Sequence, residues 1–399
     1  DWSGNAGALG PRRARRIVSP EKQLENLAAG AERLVSSEEL LAKLRLGRPL
    51  RVKLGFDPSS PDLHLGHLVV LDKVREFQDL GHTAVIIIGD YTARIGDPTG
   101  RSKTRQPLDP DQVAANAKTY TDQVFRVLLP ERTEIRRNGE WFDGFSYADV
   151  LRLNAEMTVA RLLERDDFRK RYAEGAPITL TEFQYPLMQG HDSVMVRSDV
   201  ELGGSDQLFN NLVGRDLQRA AGQEPQVVMV LPILPGLDGV QKMSKSLGNY
   251  IGLTEGPDAI FGKAMSISDA LMAQWYPILL RRPLDPAIHP METKKALGHA
   301  LVARFHGGAA AGAAQAAWEK QFSQGRAPDS MPDCPIGAGK KLWELLRESG
   351  LAPSGAEARR LVRQGAVSLD GQRLSDENEI VTRTGVLKCG KRKFLRLIF

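Results

Sequence analysis

Two short segments hold the residue types best suited to phosphate chemistry. His64-Leu65-Gly66-His67 sets two imidazoles three residues apart, shortly after Gly55-Phe56-Asp57-Pro58. Lys242-Met243-Ser244-Lys245-Ser246 offers two ammonium groups and two hydroxyls behind the turn Gly236-Leu237-Asp238-Gly239. At a helix N-terminus, free N–H groups and the positive dipole end attract anions, and imidazoles there can donate to phosphate oxygens. Gly66 between them leaves room for a nucleotide to approach the backbone. Lysines on a loop can meet the charge that develops on a leaving pyrophosphate. Each segment also has a plainer reading: a fortuitous or metal-binding His pair, and an ordinary basic surface loop.

Two further segments fit the same chemistry. Asp97-Pro98-Thr99-Gly100-Arg101-Ser102-Lys103-Thr104-Arg105 is rich in Gly, Pro and cations, as a phosphate-reaching loop would be, or as a solvated face would be. Gly203-Gly204-Ser205-Asp206-Gln207 combines close backbone approach with an acid able to accept from a ribose hydroxyl. It also reads as a capped helix start.

These residues need a scaffold, and the patterning supplies one. Arg51 to Phe56 reads as a strand, Leu65 to Leu80 as a helix with Gly81 as its cap, and Ala84 to Gly89 as a buried parallel strand. That is a βαβ unit. Gln226 to Leu231 reads as a later parallel strand before Pro232. The expected architecture is a Rossmann-type doubly wound parallel sheet, which binds ligands beyond the carboxyl ends of its strands. The first domain is expected over 20–255, with a mostly helical insertion at about 111–171 that could form a partner surface. An α-helical domain follows over 256–330. Gly325 to Gly339 reads as a linker, and a small basic α+β domain occupies 340–399.

Composition narrows the classes. The chain has 399 residues, 42% hydrophobic and 26% charged, a soluble globular profile. Its apolar runs are too short for a membrane span, and no leader pattern opens it, although Asp1 rather than Met suggests that numbering starts inside the native protein. Its two cysteines, Cys334 and Cys389, fit a reducing cytoplasm and carry no zinc spacing. Residues 340–399 hold 13 Lys/Arg against 7 Asp/Glu, a net +6, whereas the preceding 339 residues sum to −1. A polyanion contact through the terminal module is one reading of that asymmetry, and a soluble basic tail is the other.

In this order and spacing, the motifs resemble the tyrosyl-tRNA synthetase family, the bacterial type of class I aminoacyl-tRNA synthetase. The His-x-Gly-His and Lys-Met-Ser-Lys-Ser elements mark class I synthetases generally. Gly55-Phe56-Asp57-Pro58, Ile95-Gly96-Asp97-Pro98, Gly203 to Gln207 and Gln189-Gly190-His191-Asp192 narrow the resemblance. Ser354 to Val362, with Leu369-Asp370-Gly371, resembles a small RNA-binding fold shared with a ribosomal protein.

The resemblance implies tyrosine–tRNA ligase activity on L-tyrosine, ATP with Mg²⁺, and tRNA(Tyr), in a cytoplasmic homodimer with no resident metal, organic cofactor or membrane contact. His64 and His67 would contact ATP and the reacting phosphates, along with Gly55, Asp57 and Gly204, while Asp206 would accept from the ribose. Lys242 and Lys245 would hold pyrophosphate together with Arg101 and Arg105. Asp97, Tyr185 and Gln189 would bind the substrate ammonium, Asp192 the phenol hydroxyl, and Gln207 the region near the carboxylate. RNA would meet Arg359, Arg360, Arg363, Lys391, Arg392 and Lys393. One position departs from the pattern: Lys53 stands where many bacterial members carry a Tyr that gives the substrate hydroxyl a second hydrogen bond. Competing readings are a tryptophanyl-tRNA synthetase, a nucleotidyltransferase and a catalytically silent RNA-binding paralogue.

Overall fold

The computed structural model describes residues 18–58, 62–98, 110–245, 247–323, 331–336, 339–390 and 393–398. Arg101, Arg105, Lys391 and Arg392 lie outside the described residues. The chain divides into two compact units, residues 1–256 with 263–297, and residues 257–262 with 298–399.

The first unit is built on six strands: β1 (Arg33–Val35), β2 (Arg51–Phe56), β3 (Thr83–Ile88), β4 (Thr133–Arg137), β5 (Val200–Gly204) and β6 (Val227–Leu231). Their order is β1-β6-β5-β2-β3-β4. Five run parallel, and β1 closes one edge antiparallel to β6. Strand β2 has β3 on one side and β5 on the other, so the chain reverses its winding there. In open α/β sheets the crevice at such a switch point is the usual ligand site. Two expected strands match β2 and β3 within a residue, and β6 starts one residue late. Strand β4 lies within the expected helical insertion and carries the sheet outward from β3.

The helix between β2 and β3, Leu65–Asp79, buries Leu65, Leu68, Leu71, Val74 and Phe77. With Val69, Asp72 and Lys73 also buried, the spacing runs i, i+3, i+4, i+7, i+8 from Leu65, which turns a broad face of the helix inward. Its C-cap is Leu80, and Gly81 follows with a positive φ. A second helix, Leu180–Val196, starts at a Thr179/Glu182 capping box and contains Pro186. It packs closely on helix Leu208–Ala220. At Gly190 an added Cβ would lie 3.0 Å from Leu217 and Val213 side chains and 3.1 Å from the Gly214 nitrogen. Only a residue without a side chain lets these two backbones approach, and that approach seats the neighbouring Gln189 and Asp192.

From Pro257 the described residues form the helices Pro257–Ser266, Asp269–Leu280, Pro290–His306 and Gly308–Ser323. The second unit ends in a five-stranded sheet built from β7 (Asp333–Pro335), β9 (Val367–Leu369), β10 (Gln372–Arg373), β12 (Gly385–Cys389) and β13 (Lys393–Ile398). Alongside it is the pair β8 (Lys340–Lys341) and β11 (Ile380–Val381). Part of the expected linker is therefore structural: Asp333–Pro335 runs parallel to β13, and Ile336 is buried in this core. Helices Leu342–Glu348 and Gly355–Arg363 cover the sheet through Leu342, Leu345, Leu346 and Val362. Both cysteines are free thiols. Among the described residues, no helix is long and apolar enough to cross a membrane.

Candidate active site

A cavity of about 430 Å³ opens at the carboxyl ends of β2, β5 and β6. It brings together every expected small-molecule site residue that the structure describes. His64, His67, Lys242 and Lys245 line it, as do Gly55, Asp57, Gly204 and Asp206. Asp97, Tyr185, Gln189, Asp192 and Gln207 complete its wall. Residues far apart in the sequence meet here because β2 and β5 end, and the helices after them begin, at one edge of the sheet.

His64 is the N-cap of helix Leu65–Asp79. Its Nδ1 accepts from the Gly66 nitrogen at 3.2 Å, and the His67 Nδ1 accepts from the His64 nitrogen at 3.2 Å. With both Nδ1 atoms accepting, the ring protons sit on Nε2. Burial, the neighbouring imidazole and Lys245 and Lys242 push His64 down to about 2. Burial, Lys245 and Lys242 push His67 down to about 4. Both rings are thus neutral near pH 7, with ring centroids 4.0 Å apart. As neutral rings with Nδ1 accepting, each has Nε2–H left to donate.

The lysine loop is tied at its base. Asp238 accepts from the Val240 and Gln241 nitrogens at 2.8 and 2.9 Å, and Asn249 bridges Asp238 to the Ser244 nitrogen. Lys242 Nζ contacts Asp206 at 2.8 Å and Lys245 Nζ contacts Asp62 at 3.3 Å. Burial lowers the Lys245 ammonium from its ordinary range, with Asp62 working against the shift. The two lysines are therefore engaged with carboxylates of the protein itself, one of which, Asp206, is the expected ribose acceptor.

The other end of the cavity is lined by fixed polar groups. Tyr185 donates to Asp57 at 2.8 Å, and Asp57 also accepts from Thr92 at 2.8 Å. Gly89 is required there, because an added Cβ would collide with both Asp57 and Thr92. Burial, with Asp57 and Asp97 nearby, pushes the Tyr185 phenol well above its usual range. Asp97 accepts from Gln207 at 2.9 Å and from Arg165 at 3.0 Å. The Gln189 side-chain carbonyl accepts from Asn210 at 2.9 Å. Asp192 accepts from the Trp141 indole at 3.0 Å and from Asn138 at 3.4 Å. Burial pushes its carboxyl up to about 7, against Lys53 and those two donors, which favour the anion.

Several of these partners carry no sequence signal of their own. Arg165 sits in a Glu-Arg-Asp-Asp run that reads as a solvated helix, yet it is buried against Asp97 and Asp167. Asn138 and Trp141 follow β4, a strand the patterning misses. Lys53 does leave a trace, as a cation inside an apolar strand. It is fully buried and pairs at 2.9 Å with Glu201, its cross-strand neighbour on β5. It does not stand free as a donor to a ligand.

In the second unit, Arg359, Arg360 and Arg363 share helix Gly355–Arg363. Arg360 pairs with Glu357, while Arg359 and Arg363 pair with Glu377. Arg359 also lies over the Trp343 ring, 4.2 Å from its centroid. Lys393 donates to the Leu351 carbonyl at 2.7 Å. Among the described residues, no cluster of three or more His, Cys, Asp or Glu side chains could hold a metal ion.

Known proteins match along nearly the whole chain. Residues 45–323 match the model of the tRNA synthetases class I (W and Y), and residues 341–387 match the S4 domain. A tyrosine–tRNA ligase of Oleidesulfovibrio alaskensis is 51% identical over 392 residues, 95% of this chain and 99% of that one. A tyrosine–tRNA ligase of Thermotoga maritima is 50% identical over 393 residues, 95% of this chain and 98% of that one. Among solved structures, the tyrosyl-tRNA synthetase of Aeropyrum pernix shares the fold, with a TM-score of 0.60 and 23% identity over 76% of this chain and 99% of that one. The chain belongs to the tRNA synthetases of class I, in the W and Y family, and carries an S4 domain after the synthetase region.

Proposed function

We propose that this chain is a tyrosine–tRNA ligase. It joins L-tyrosine to ATP as tyrosyl-adenylate with release of pyrophosphate, then transfers tyrosine to tRNA(Tyr). The observation that carries this reading is a single cavity with imidazoles and lysines at one end and the buried Asp192 carboxyl at the other. Relatives about half identical across the chain bear the same name.

In the first step the substrate carboxylate attacks the α-phosphate in line. That carboxylate is already ionised at pH 7, so no general base is required. Catalysis then rests on holding the reactants and on charge stabilisation at phosphorus. His64 and His67 donate from Nε2 to phosphate oxygens, next to Gly55, Asp57 and Gly204. Lys242 and Lys245 leave Asp206 and Asp62 for the departing pyrophosphate, and Arg101 and Arg105 share that role. Asp206, once released, accepts from the ribose. Mg²⁺ would be carried mainly by the phosphate oxygens and would help neutralise their charge.

Asp97, Tyr185 and Gln189 receive the α-ammonium, and Gln207 lies beside the carboxylate. Asp192 accepts from the phenol hydroxyl. Phenylalanine would bury that carboxyl without the further donor that the phenol supplies, which is a strong basis for rejection. The catalytic domain spans 20–255 with the 111–171 insertion. A helical domain over 256–330 serves the anticodon side, and 340–399 binds RNA through Arg359, Arg360, Arg363, Lys391, Arg392 and Lys393. The enzyme works in the cytoplasm as a homodimer. Exposed Tyr147, Leu151 and Val159 favour the insertion as the contact between copies.

The test is ATP–pyrophosphate exchange with tyrosine, tryptophan or phenylalanine as the sole amino acid. Tyrosine alone should support exchange. Exchange driven equally well by tryptophan would overturn the assignment.

A further inference from the structure

The buried ammonium of Lys53 sits directly behind the amino-acid end of the cavity. It donates to three acceptors on two elements: the Gln189 carbonyl at 2.8 Å, Ser193 Oγ at 2.7 Å and Glu201 Oε1 at 2.9 Å. Glu201 is held in turn by Ser193 at 3.2 Å and by Gln226. Gln189 and Ser193 bracket Asp192 on helix Leu180–Val196, so this cluster grips the turn that carries the carboxyl.

The charges facing Asp192 can be named element by element. After β4, Trp141 and Asn138 are neutral donors. On β2, Lys53 favours the anion, and on β5, Glu201 opposes it more weakly. On its own helix, His191 packs against Phe142 and Phe145, and burial with Lys53 favours its neutral form. Further along the wall, Asp57 is bonded to Tyr185 and Asp97 to Arg165. Lys53 is therefore the cation behind this carboxyl, and its pair with Glu201 acts as a fixed dipole with the positive end dominant.

We propose that Lys53 is a specificity-determining positioning residue, whose ammonium, anchored by Glu201, locks the Gln189–Ser193 turn and keeps Asp192 an anionic acceptor for a phenol hydroxyl. The proposal rests on the tyrosine reading above. An anion accepts from a phenol more strongly than a protonated carboxyl does. Phenylalanine offers no donor, so ionisation of Asp192 favours tyrosine over phenylalanine.

The test compares the full-length protein with Lys53→Met and Glu201→Gln. It measures kcat/KM for tyrosine- and phenylalanine-driven ATP–pyrophosphate exchange from pH 6 to 9. In the unaltered protein the tyrosine/phenylalanine ratio should rise with pH around a midpoint near Asp192's value of about 7. Lys53→Met should raise that midpoint by about one unit, as removal of a nearby charge does, with tyrosine kcat/KM falling about tenfold below the midpoint. Glu201→Gln should move the midpoint the other way. Lys53→Met strands a buried carboxylate, so Lys53→Met/Glu201→Leu removes the whole pair as a second variant, and its midpoint must also rise. Midpoints that stay fixed, or shift in the same direction for Lys53→Met and Glu201→Gln, overturn the proposal. So does a parallel drop for both amino acids. Absence of tyrosine-driven exchange in the unaltered protein overturns the tyrosine reading and this proposal with it. An active protein with fixed midpoints overturns this proposal alone.

Discussion

The two ends of the cavity solve opposite problems. At the amino-acid end, Asp192 is already held by Trp141 and Asn138, and the helix beneath it is pinned by Lys53 and Glu201. At the phosphate end, Lys242 and Lys245 are held by Asp206 and Asp62, which a polyphosphate would have to displace. One end has its polar partners fixed before any substrate arrives, and the other exchanges internal ion pairs for ligand charges. Preformed hydrogen bonds suit discrimination between similar side chains, because an unmatched buried group is costly. Exchangeable ion pairs suit a charge that appears only during reaction, since partly exposed pairs are worth little and are cheap to break.

The sharpest way to break this comparison is at Asp192. Asp192→Ala should lower tyrosine-driven exchange by on the order of 10³-fold or more while the fold persists, because the site is built around that acceptor. Circular dichroism and exchange kinetics together check this, and normal exchange in the variant sinks the role. Next in size are His67→Ala and Lys245→Ala, each expected to lower kcat by on the order of 10²–10³ with little change in KM for tyrosine. A rise in tyrosine KM alone would mean that these residues belong to the wrong end.

A smaller effect separates the ends by pH. Asp192 holds its proton up to about 7 in the folded chain, against an ordinary value of 3.8. Between those values the unfolded chain has released that proton and the folded one has not. This group's contribution to stability therefore falls as pH rises from 4 to 7, then levels off. Asp192→Asn should gain stability relative to the unaltered protein across that window, in melts taken at pH 4.5 and pH 8. A flat difference would mean that the carboxyl is not buried as described. The smallest expected effect lies in the second unit. Replacing Arg359, Arg360 and Arg363 together with Ala should spare adenylate formation and weaken tRNA charging. The salt slope of tRNA binding should fall by about one for each phosphate no longer neutralised. Unchanged charging at moderate salt would remove this helix from the RNA interface.

Much of the scaffold is legible in the sequence alone. Strands β2, β3 and β6 are largely apolar runs, and helix Leu65–Asp79 repeats its buried residues at three- and four-residue spacings. Strands β1 and β4 are not legible. Arg33–Val35 is too short to show a period, and Thr133–Arg137 alternates through charges because it lies at a half-covered edge. Strand β5 is masked by its own glycines, which read as the start of a helix. In the terminal module, Asp333–Pro335 reads as linker because its Pro and polar composition hides a strand that pairs only through β13.

Residue types and spacing were enough to name the available chemistry: imidazoles at a helix start, lysines on a looped turn, and an acid beside Gln189 and Gly190. These are local properties, set by residue type and spacing, and they survive without knowledge of the packing. Which groups face one another came from the packed fold. It turned Lys53 from an unexplained departure into the partner of Glu201, a contact between strands 148 residues apart in sequence. It put Arg165 on Asp97, and it made both imidazoles neutral by burying them. Ionisation and hydrogen-bond partners depend on the solvent removed and the charges brought near, and neither exists until the sheet and helices have packed.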